Sequence, residues 1–275
     1  VAEWPGGARG ALCLSFDNLG EAAELELGGH PESPGEHFTA TRVLPTLLDT
    51  LGEHGLAATF FVEGLNAELY PDPLKAIAAG GHEVAYHAWR HETWGELTAT
   101  EQAENLARGV SAFGDLDIEF AGLRPPGGQL GTGGVEVLRE AGLRYASPAG
   151  EGAGIEDSVA LLPFQWRHVD ASCLLPPLAP VREQMTGSPD PIDPAALLTY
   201  LESEIDRFGR EGGFISIVLH LPLLDWLGEG RLDAVLDKLA SAQVWMARCD
   251  EVAAHVLSHP EHFQAGATLD PTSWS

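Results

Sequence analysis

The sequence predicts an α/β fold with a mostly parallel sheet or barrel, organised as one domain over residues 1–275. Three observations predict it. Short apolar segments alternate with segments of helical apolar spacing along the whole chain. Three of the apolar segments end in an acid–base or metal-type side chain: Leu14-Ser15-Phe16-Asp17, the segment before His87, and Ile217-Val218-Leu219-His220. No internal repeat or clear linker interrupts the 275 residues, a length that buries a large core.

The elements follow in order. Residues 11–16 read as a buried strand, and the polar Gly/Pro-containing stretch 18–36 reads as a long loop of functional length. Val43, Leu44, Leu47, Leu48 and Leu51 place a helix over 39–54, stopped at Gly55. A strand is expected over 57–62, a short helix over 73–79 and a strand over 83–86. Thr98 with Glu101 three residues later is a capping-box start for a helix to about residue 113. Strands are expected over 119–123, 143–146 and 161–166, with a helix over 134–141 between the first two. A Pro-rich loop spans 174–194, a helix 194–210, and a strongly apolar strand 213–220. Two more helices flank a short strand near residues 244–246.

Charge bounds the partners. Fifteen basic against 41 acidic residues give −26, which repels a bare polyanion, so nucleic acid is not expected. No apolar run approaches the ~20 residues that cross a bilayer, so no membrane span is expected either. Neutral or cationic substrates remain open, and so does homo-oligomerisation. Val1-Ala2-Glu3-Trp4-Pro5 shows no basic-then-apolar leader, which favours the cytoplasm. The chain lacks an initiator Met, so a leader removed before Val1 is left open. Cys13, Cys173 and Cys249 have no C-x-x-C spacing and form no disulfide framework; Cys13 reads as a core residue.

The candidate chemistry sits at the segment ends. His87 and His91, four apart, can face one way on a helical turn and share a cation, or be two surface histidines. Their context is not the H-E-x-x-H peptidase spacing. Asp17, at the end of a buried strand, is costly without a partner and reads as functional at a barrel strand end. Asn18 beside it offers a neutral amide oxygen. Arg124 heads the rigid turn Arg124-Pro125-Pro126-Gly127-Gly128 and suits clamping a carboxylate, with Asp17 the candidate. His220 can serve as an acid near neutral pH, although a lone histidine there is more often core.

Together these segments resemble the polysaccharide deacetylase (NodB-homology) family. The matching text is Ser15-Phe16-Asp17-Asn18, His87-Ala88-Trp89-Arg90-His91, Arg124-Pro125-Pro126-Gly127-Gly128 and Val218-Leu219-His220, with Ala57–Val62 and Gly81–Val84 between them. The resemblance implies a distorted (β/α) barrel with its site at the strand C-termini, and metal-assisted hydrolysis of an acetamide on an N-acetylated sugar. It implies a divalent metal on His87 and His91; two imidazoles suit zinc, cobalt or nickel better than magnesium, and zinc is the expected ion. It implies Asp17 as general base, Arg124 as its orienting partner and His220 as acid. The backbone N–H after Pro126 would help hold the oxyanion. Trp166 and Asp170 stand where the family has an aromatic and an aspartate that tune the acid histidine.

Two departures matter. Asn18 replaces the family's metal-ligand aspartate, so the implied site is weakened unless Glu21 or Glu24 supplies the carboxylate. Gly127 replaces an aromatic and leaves room near the reacting carbonyl. Relatives with altered metal sites hydrolyse small cyclic amides or ureides, some without metal. A hydrolase of a cyclic imide, ureide or other small amide is therefore the second expectation. A catalytically silent carbohydrate-binding protein is the third, and retention of Asp17, Arg124 and His220 argues against it.

Overall fold

β1 (Gly10–Asp17) is the hub of the sheet. It runs parallel to β9 (Gly213–His220) along its whole length and to β2 (Thr59–Val62) on its other side. The structure is a computed structural model that describes residues 4–29, 34–228, 230–264 and 266–270. Val1, Ala2 and Glu3, which carry part of the leader argument, lie outside the described residues. From β2 the parallel order continues through β3 (Glu83–Tyr86), β4 (Gly122–Leu123) and β5 (Tyr145–Ala146) to β8 (Val159–Leu161). β8 closes an antiparallel hairpin with β7 (Gly154–Glu156). The short β10 (Trp245–Met246) lies beside the start of β1. β6 (Gly150–Glu151) pairs with β11 (Thr268–Leu269) in a separate ribbon. A single bridge, Val169 to Val218, joins the far side of β9 to the segment after β8. The sheet is a curled half-barrel: a distorted (β/α) barrel in one α/β domain.

Alternation sorts the side chains into two layers. Leu12, Leu14 and Phe16 of β1, Phe60 and Val62 of β2, and Ile215, Ile217 and Leu219 of β9 face outward. There they meet helix residues such as Leu44, Leu47, Leu51, Leu106, Phe113, Leu201 and Ile205. Ala11, Cys13, Phe61, Ala85, Tyr145, Ala160 and Phe214 face inward, in the barrel. Gly122 belongs to this inner layer, because a Cβ there would lie 2.2 Å from the Tyr145 ring. The inward parity brings Ser15, Asp17, Ser216 and His220 to one end of the barrel. The helices hold that end by burying whole apolar faces, and Ala99–Gly114 starts on the expected Thr98/Glu101 capping box.

The expected elements stand at 83–86 and 213–220 and shift elsewhere. The helix over 39–54 begins as a π-helical turn, Thr39–Val43, before the α-helix Leu44–His54. The strand expected over 119–123 is paired only at Gly122–Leu123. The strand expected over 161–166 is instead Val159–Leu161, the second arm of a hairpin turned at Asp157 and Ser158, both at positive φ (47° and 69°). The Pro-rich 174–194 loop contains the helix Ala179–Thr186, and the 18–36 loop contains Ala22–Glu26. Pro at the first turn of a helix is compatible with helix, which a Pro-as-loop reading misses. Among the described residues, no helix is long and apolar enough to cross a membrane.

Candidate functional site

Asp17 and His220 are register partners on β1 and β9, so two residues 203 positions apart in the chain end neighbouring strands side by side. His87 follows β3 and Arg124 follows β4. Both turns are tied to the neighbouring strand: the His87 N–H donates to Val62 O at 3.0 Å, and the Arg124 N–H to Tyr86 O at 3.0 Å. Every sequence-expected acid, base and ligand residue therefore lies at the C-terminal end of the strands, where barrel sites are built.

Arg124 is buried in the barrel centre. Its Nη1 donates to Asp17 Oδ1 at 2.7 Å and to Ser15 Oγ at 2.8 Å. Its Nη2 donates to Ser147 Oγ and Ser216 Oγ, each at 3.1 Å, and its guanidinium lies 4.0 Å above the Phe61 ring. The clamp on Asp17 expected from sequence is present. It leaves Asp17 Oδ2 3.9 Å from His87 Nε2. Burial raises the Asp17 pKa, and the Arg124 and His220 charges oppose that rise without cancelling it.

His220 is held the same way. Its Nδ1–H donates to Asp170 Oδ1 at 2.6 Å, and its backbone N–H to Asp170 Oδ2 at 2.8 Å. Asp170 opens the short helix Asp170–Leu174 immediately after Val169, the residue bridged to β9. Burial lowers the His220 pKa, but the charge and hydrogen bond of Asp170 outweigh it, and the net shift is upward. Trp166 packs edge-on against Phe164, with ring centroids 5.2 Å apart.

The histidine pair lies on an irregular turn rather than a helical one. Ala88 and His91 sit at positive φ (62° and 75°), and the two rings meet edge to face with centroids 4.9 Å apart. His87 Nδ1–H donates to Arg124 O at 2.8 Å, which fixes the tautomer and leaves Nε2 as an acceptor. Both imidazoles are held neutral: burial, then the His91 charge, lowers His87 well below its ordinary value, and burial, then His220, brings His91 to about 4. Asn18 also stands at positive φ (62°), and its Oδ1 is buried without a hydrogen-bond partner. Backbone of this kind costs about 1–3 kcal/mol per residue and gathers at functional sites. Among the described residues, no three His, Cys, Asp or Glu side chains are arranged to hold a metal ion. The candidate donor set is thus two imidazoles and an amide oxygen.

The two carboxylates offered in place of Asn18 are engaged elsewhere. Glu21 accepts from the Tyr70 hydroxyl and, at 2.7 Å, from the Gly35 N–H. Glu24 faces His37 Nε2 at 3.1 Å. A carboxyl that the sequence reading passed over stands closer to the base. Glu63 is the first residue after β2 and fully buried; Asn66 Nδ2 donates to its Oε2 at 2.9 Å, and its Oε1 has no partner. Burial pushes its pKa well up, and the Asp17 charge adds to that rise. Its signal was available: Thr59, Phe61 and Glu63 share the inward parity that marks Asp17 on β1.

In the Pro126–Gly128 turn, Pro126 is buried and Gly127 stands at φ 79°. A Cβ on Gly127 would meet only Thr93 Cγ2, at 3.6 Å, so the space expected there is present.

Comparison with known proteins gives the same frame. A family model described as polysaccharide deacetylase matches residues 13–146. That span holds Asp17, Asn18, Glu63, His87, His91 and Arg124 and stops short of Asp170 and His220. A peptidoglycan-N-acetylglucosamine deacetylase of Bacillus cereus is 32% identical over 101 residues, 36% of this chain and 34% of the relative; the chain thus matches about a third of that protein's length. A solved structure of a putative polysaccharide deacetylase from Mycobacterium smegmatis superposes at a TM-score of 0.79, with 25% identity over 98% of this chain and 96% of that one. The structure of the Puue allantoinase superposes at 0.73 with 18% identity over 94% of both chains, a likeness of fold.

Proposed function

The chain belongs to the polysaccharide deacetylase family, and from that premise we propose that it is a metal-dependent hydrolase of non-peptide C–N bonds that deacetylates an N-acetylated sugar. One observation carries the reading. Asp17 and His220 end adjacent strands in register, each with its own oppositely charged partner, Arg124 and Asp170. That is the arrangement a reaction needing one base and one acid requires.

The side chains divide the work. Arg124 holds Asp17 by one oxygen and leaves the other to take a proton from the attacking water. The raised pKa makes Asp17 a stronger base than an ordinary aspartate. His220, oriented by Asp170 through Nδ1, presents Nε2 to the leaving nitrogen, and its raised pKa keeps a proton there for transfer as the C–N bond breaks. Pro126 and Gly127 shape the turn whose N–H would face the developing oxyanion. Trp166 lies on the segment leading to Asp170 and would contribute to the substrate wall.

The donor set fits a divalent cation. His87 Nε2 is a free acceptor by tautomer, His91 is neutral, and Asn18 Oδ1 is a buried acceptor with no donor. These three would hold the ion, with zinc suited to the two imidazoles. When bound, it would polarise the scissile carbonyl and the attacking water.

Asn18 also favours a second reading. A neutral donor set binds a cation less tightly than one with a carboxylate, so the same base and acid would serve a metal-independent hydrolase of a cyclic imide or ureide. The third expectation, a silent carbohydrate binder, has no use for two buried ion pairs at one site. Purified protein should release acetate from N-acetylated chito-oligosaccharides and stop on chelation. Chelator-resistant opening of a cyclic imide or ureide, with no acetate release, would replace the first reading with the second.

A further inference from the structure

Both strained turns at the open end of the barrel are tied to one short segment, residues 63–66, which leaves β2 and opens the helix Leu65–Leu69. On one side the Gly64 N–H donates to Ala88 O and the Leu65 N–H to Trp89 O, each at 2.9 Å. These carbonyls belong to the turn between His87 and His91. On the other side Asn66 Nδ2 donates to Leu19 O, the carbonyl next in the chain to Asn18. Asn66 is fully buried, and Nδ2 also donates to Glu63 Oε2 at 2.9 Å. The amide cannot be turned end for end, because its oxygen would then face the Leu19 carbonyl. Close packing holds the contacts in place. A Cβ on Gly20 would lie 2.7 Å from Asn66 Oδ1 and 2.5 Å from the Tyr70 ring, and a Cβ on Gly64 would lie 2.5 Å from the Trp89 ring.

Asn18, Ala88 and His91 all stand at positive φ. Backbone of this kind persists only where its surroundings over-determine it. The bonds from 63–66 fall on or beside each one: on Ala88 itself, on the residue after Asn18, and on the residue two before His91. The bracing spans strands that are not neighbours. Asp17, one residue before Asn18, has Oδ2 3.9 Å from His87 Nε2, yet β2 lies between β1 and β3 in the sheet. The segment leaving β2 is bonded to both sides.

We propose that Asn66 is a positioning residue: through Leu19 O it holds Asn18, and Asp17 before it, against the histidine turn that Gly64 and Leu65 hold from the other side, a role that rests on the hydrolase reading above and deepens it. Asn66 acts through the Leu19 carbonyl and not on a reacting atom. Its loss would let the backbone at Asn18 relax to an ordinary φ, and the relief of strain would offset part of the lost hydrogen bond. Stability then falls little and turnover falls much. A bond that only braces the fold would show the opposite balance.

The test is steady-state hydrolysis by the full chain, with thermal unfolding recorded alongside. The substrate is an N-acetylated chito-oligosaccharide, or a cyclic imide or ureide if that is what the wild type opens. Asn66→Ala should unfold within a few degrees of wild type. Its kcat should fall by roughly 10²-fold, the cost of displacing a reacting group by about an ångström, with KM little changed. Gly64 has ordinary helical dihedrals, so Gly64→Ala strains no backbone and removes no hydrogen-bonding group. It adds one methyl against the Trp89 ring, and should displace the histidine turn and lower kcat in the same way. If Asn66→Ala folds and keeps the wild-type kcat, Asn66 only braces the fold and the assignment is overturned. A rise in KM at constant kcat overturns it as well, because that moves Asn66 to substrate binding. Should Asn66→Ala fail to fold, Gly64→Ala decides, and a wild-type kcat there overturns the proposal. Wild type that hydrolyses neither class of substrate would bring down the hydrolase reading, and the positioning role with it.

Discussion

The two ends of the same barrel bury carboxyls in opposite ways. At the N-terminal end Glu83 opens β3 with its polar environment closed. Thr59 Oγ1 donates to Oε2 at 2.8 Å, the Asp250 N–H to Oε2 at 3.0 Å, and the Tyr145 hydroxyl to Oε1 at 2.9 Å. At the C-terminal end Asp17 has one oxygen clamped and the other turned toward His87, and the neighbouring Asn18, Glu63 and Asn66 each keep an unmet acceptor. On the open end Asn18, Ala88 and His91 stand at positive φ, and on the closed end Asp117 does, near Glu83 and Asp250. A satisfied buried acid holds strands together. An unsatisfied group, on strained turns, waits for a ligand. The difference separates structure from chemistry without appeal to position in the chain.

The sharpest way to break that comparison is to neutralise one acid at each end. Asp17→Asn keeps the volume and an oxygen for Arg124 but removes the base. Hydrolysis should fall by about 10³-fold, in the range of a lost general base, with circular dichroism unchanged. Activity within a few-fold of wild type would refute the assigned mechanism. Glu83→Ala should do the reverse. It leaves the Thr59 and Tyr145 hydroxyls and the Asp250 N–H without their acceptor inside the barrel, at a cost of about 3 kcal/mol in urea unfolding. The turnover of the folded fraction should stay close to wild type. If Glu83→Ala instead abolishes turnover at full stability, the two ends are not divided as argued.

Glu83 gives a second, smaller test. Burial, then the nearby Asp250 charge, push its pKa up to about 7 from an ordinary 4.5. The folded state therefore binds the proton more tightly than the unfolded chain. The stability this contributes is fully present below about pH 4.5 and is lost as pH rises through about 7. Urea midpoints should fall across that window by an amount worth about 3 kcal/mol at most, and Glu83→Gln should flatten the fall. An unchanged slope in the variant would assign the pH dependence elsewhere.

Much of the open end was legible in the sequence because its logic is local. An apolar strand that stops at a charged or imidazole side chain states its parity and its end together, and Asp17, His220 and Arg124 were each read that way. His87 and His91 were read from spacing, although the turn that carries them is left-handed at two residues rather than helical. Glu63 obeys the same rule as Asp17 and was missed because its strand continues into Gly64 and a helix, without the Pro/Gly turn that drew attention to Arg124. The closed end was harder. Glu83's partners, Thr59, Tyr145 and Asp250, come from three separate segments, and nothing local to any of them announces the meeting. The hairpin Gly154–Glu156/Val159–Leu161 was lost for a related reason: two three-residue strands carry too little alternation to show a period of two.

The finest test of the comparison lies within the open end, at Asp170. This aspartate touches neither the base nor the histidine pair in the contacts seen; it holds His220 directly, and its charge reaches Asp17 only as a smaller influence than burial, Arg124 and His220. Its charge and hydrogen bond are what lift the His220 pKa against the burial that lowers it. For hydrolysis that needs Asp17 ionised and His220 protonated, kcat/KM should rise through a pKa above the ordinary aspartate value and fall through one above the ordinary histidine value. Asp170→Asn keeps an acceptor for His220 Nδ1–H and removes the charge. The alkaline limb should therefore move to lower pH while the acid limb, set by Asp17, shifts little. At pH 7 the rate should fall several-fold, because less of the acid carries its proton once the Asp170 charge is gone. A uniform fall in rate with both limbs in place would mean that Asp170 positions the ring without setting its proton affinity. An alkaline limb unmoved and an undiminished rate would remove His220 from the role of acid, and with it the claim that strand register, by setting Asp17 beside His220, built the site.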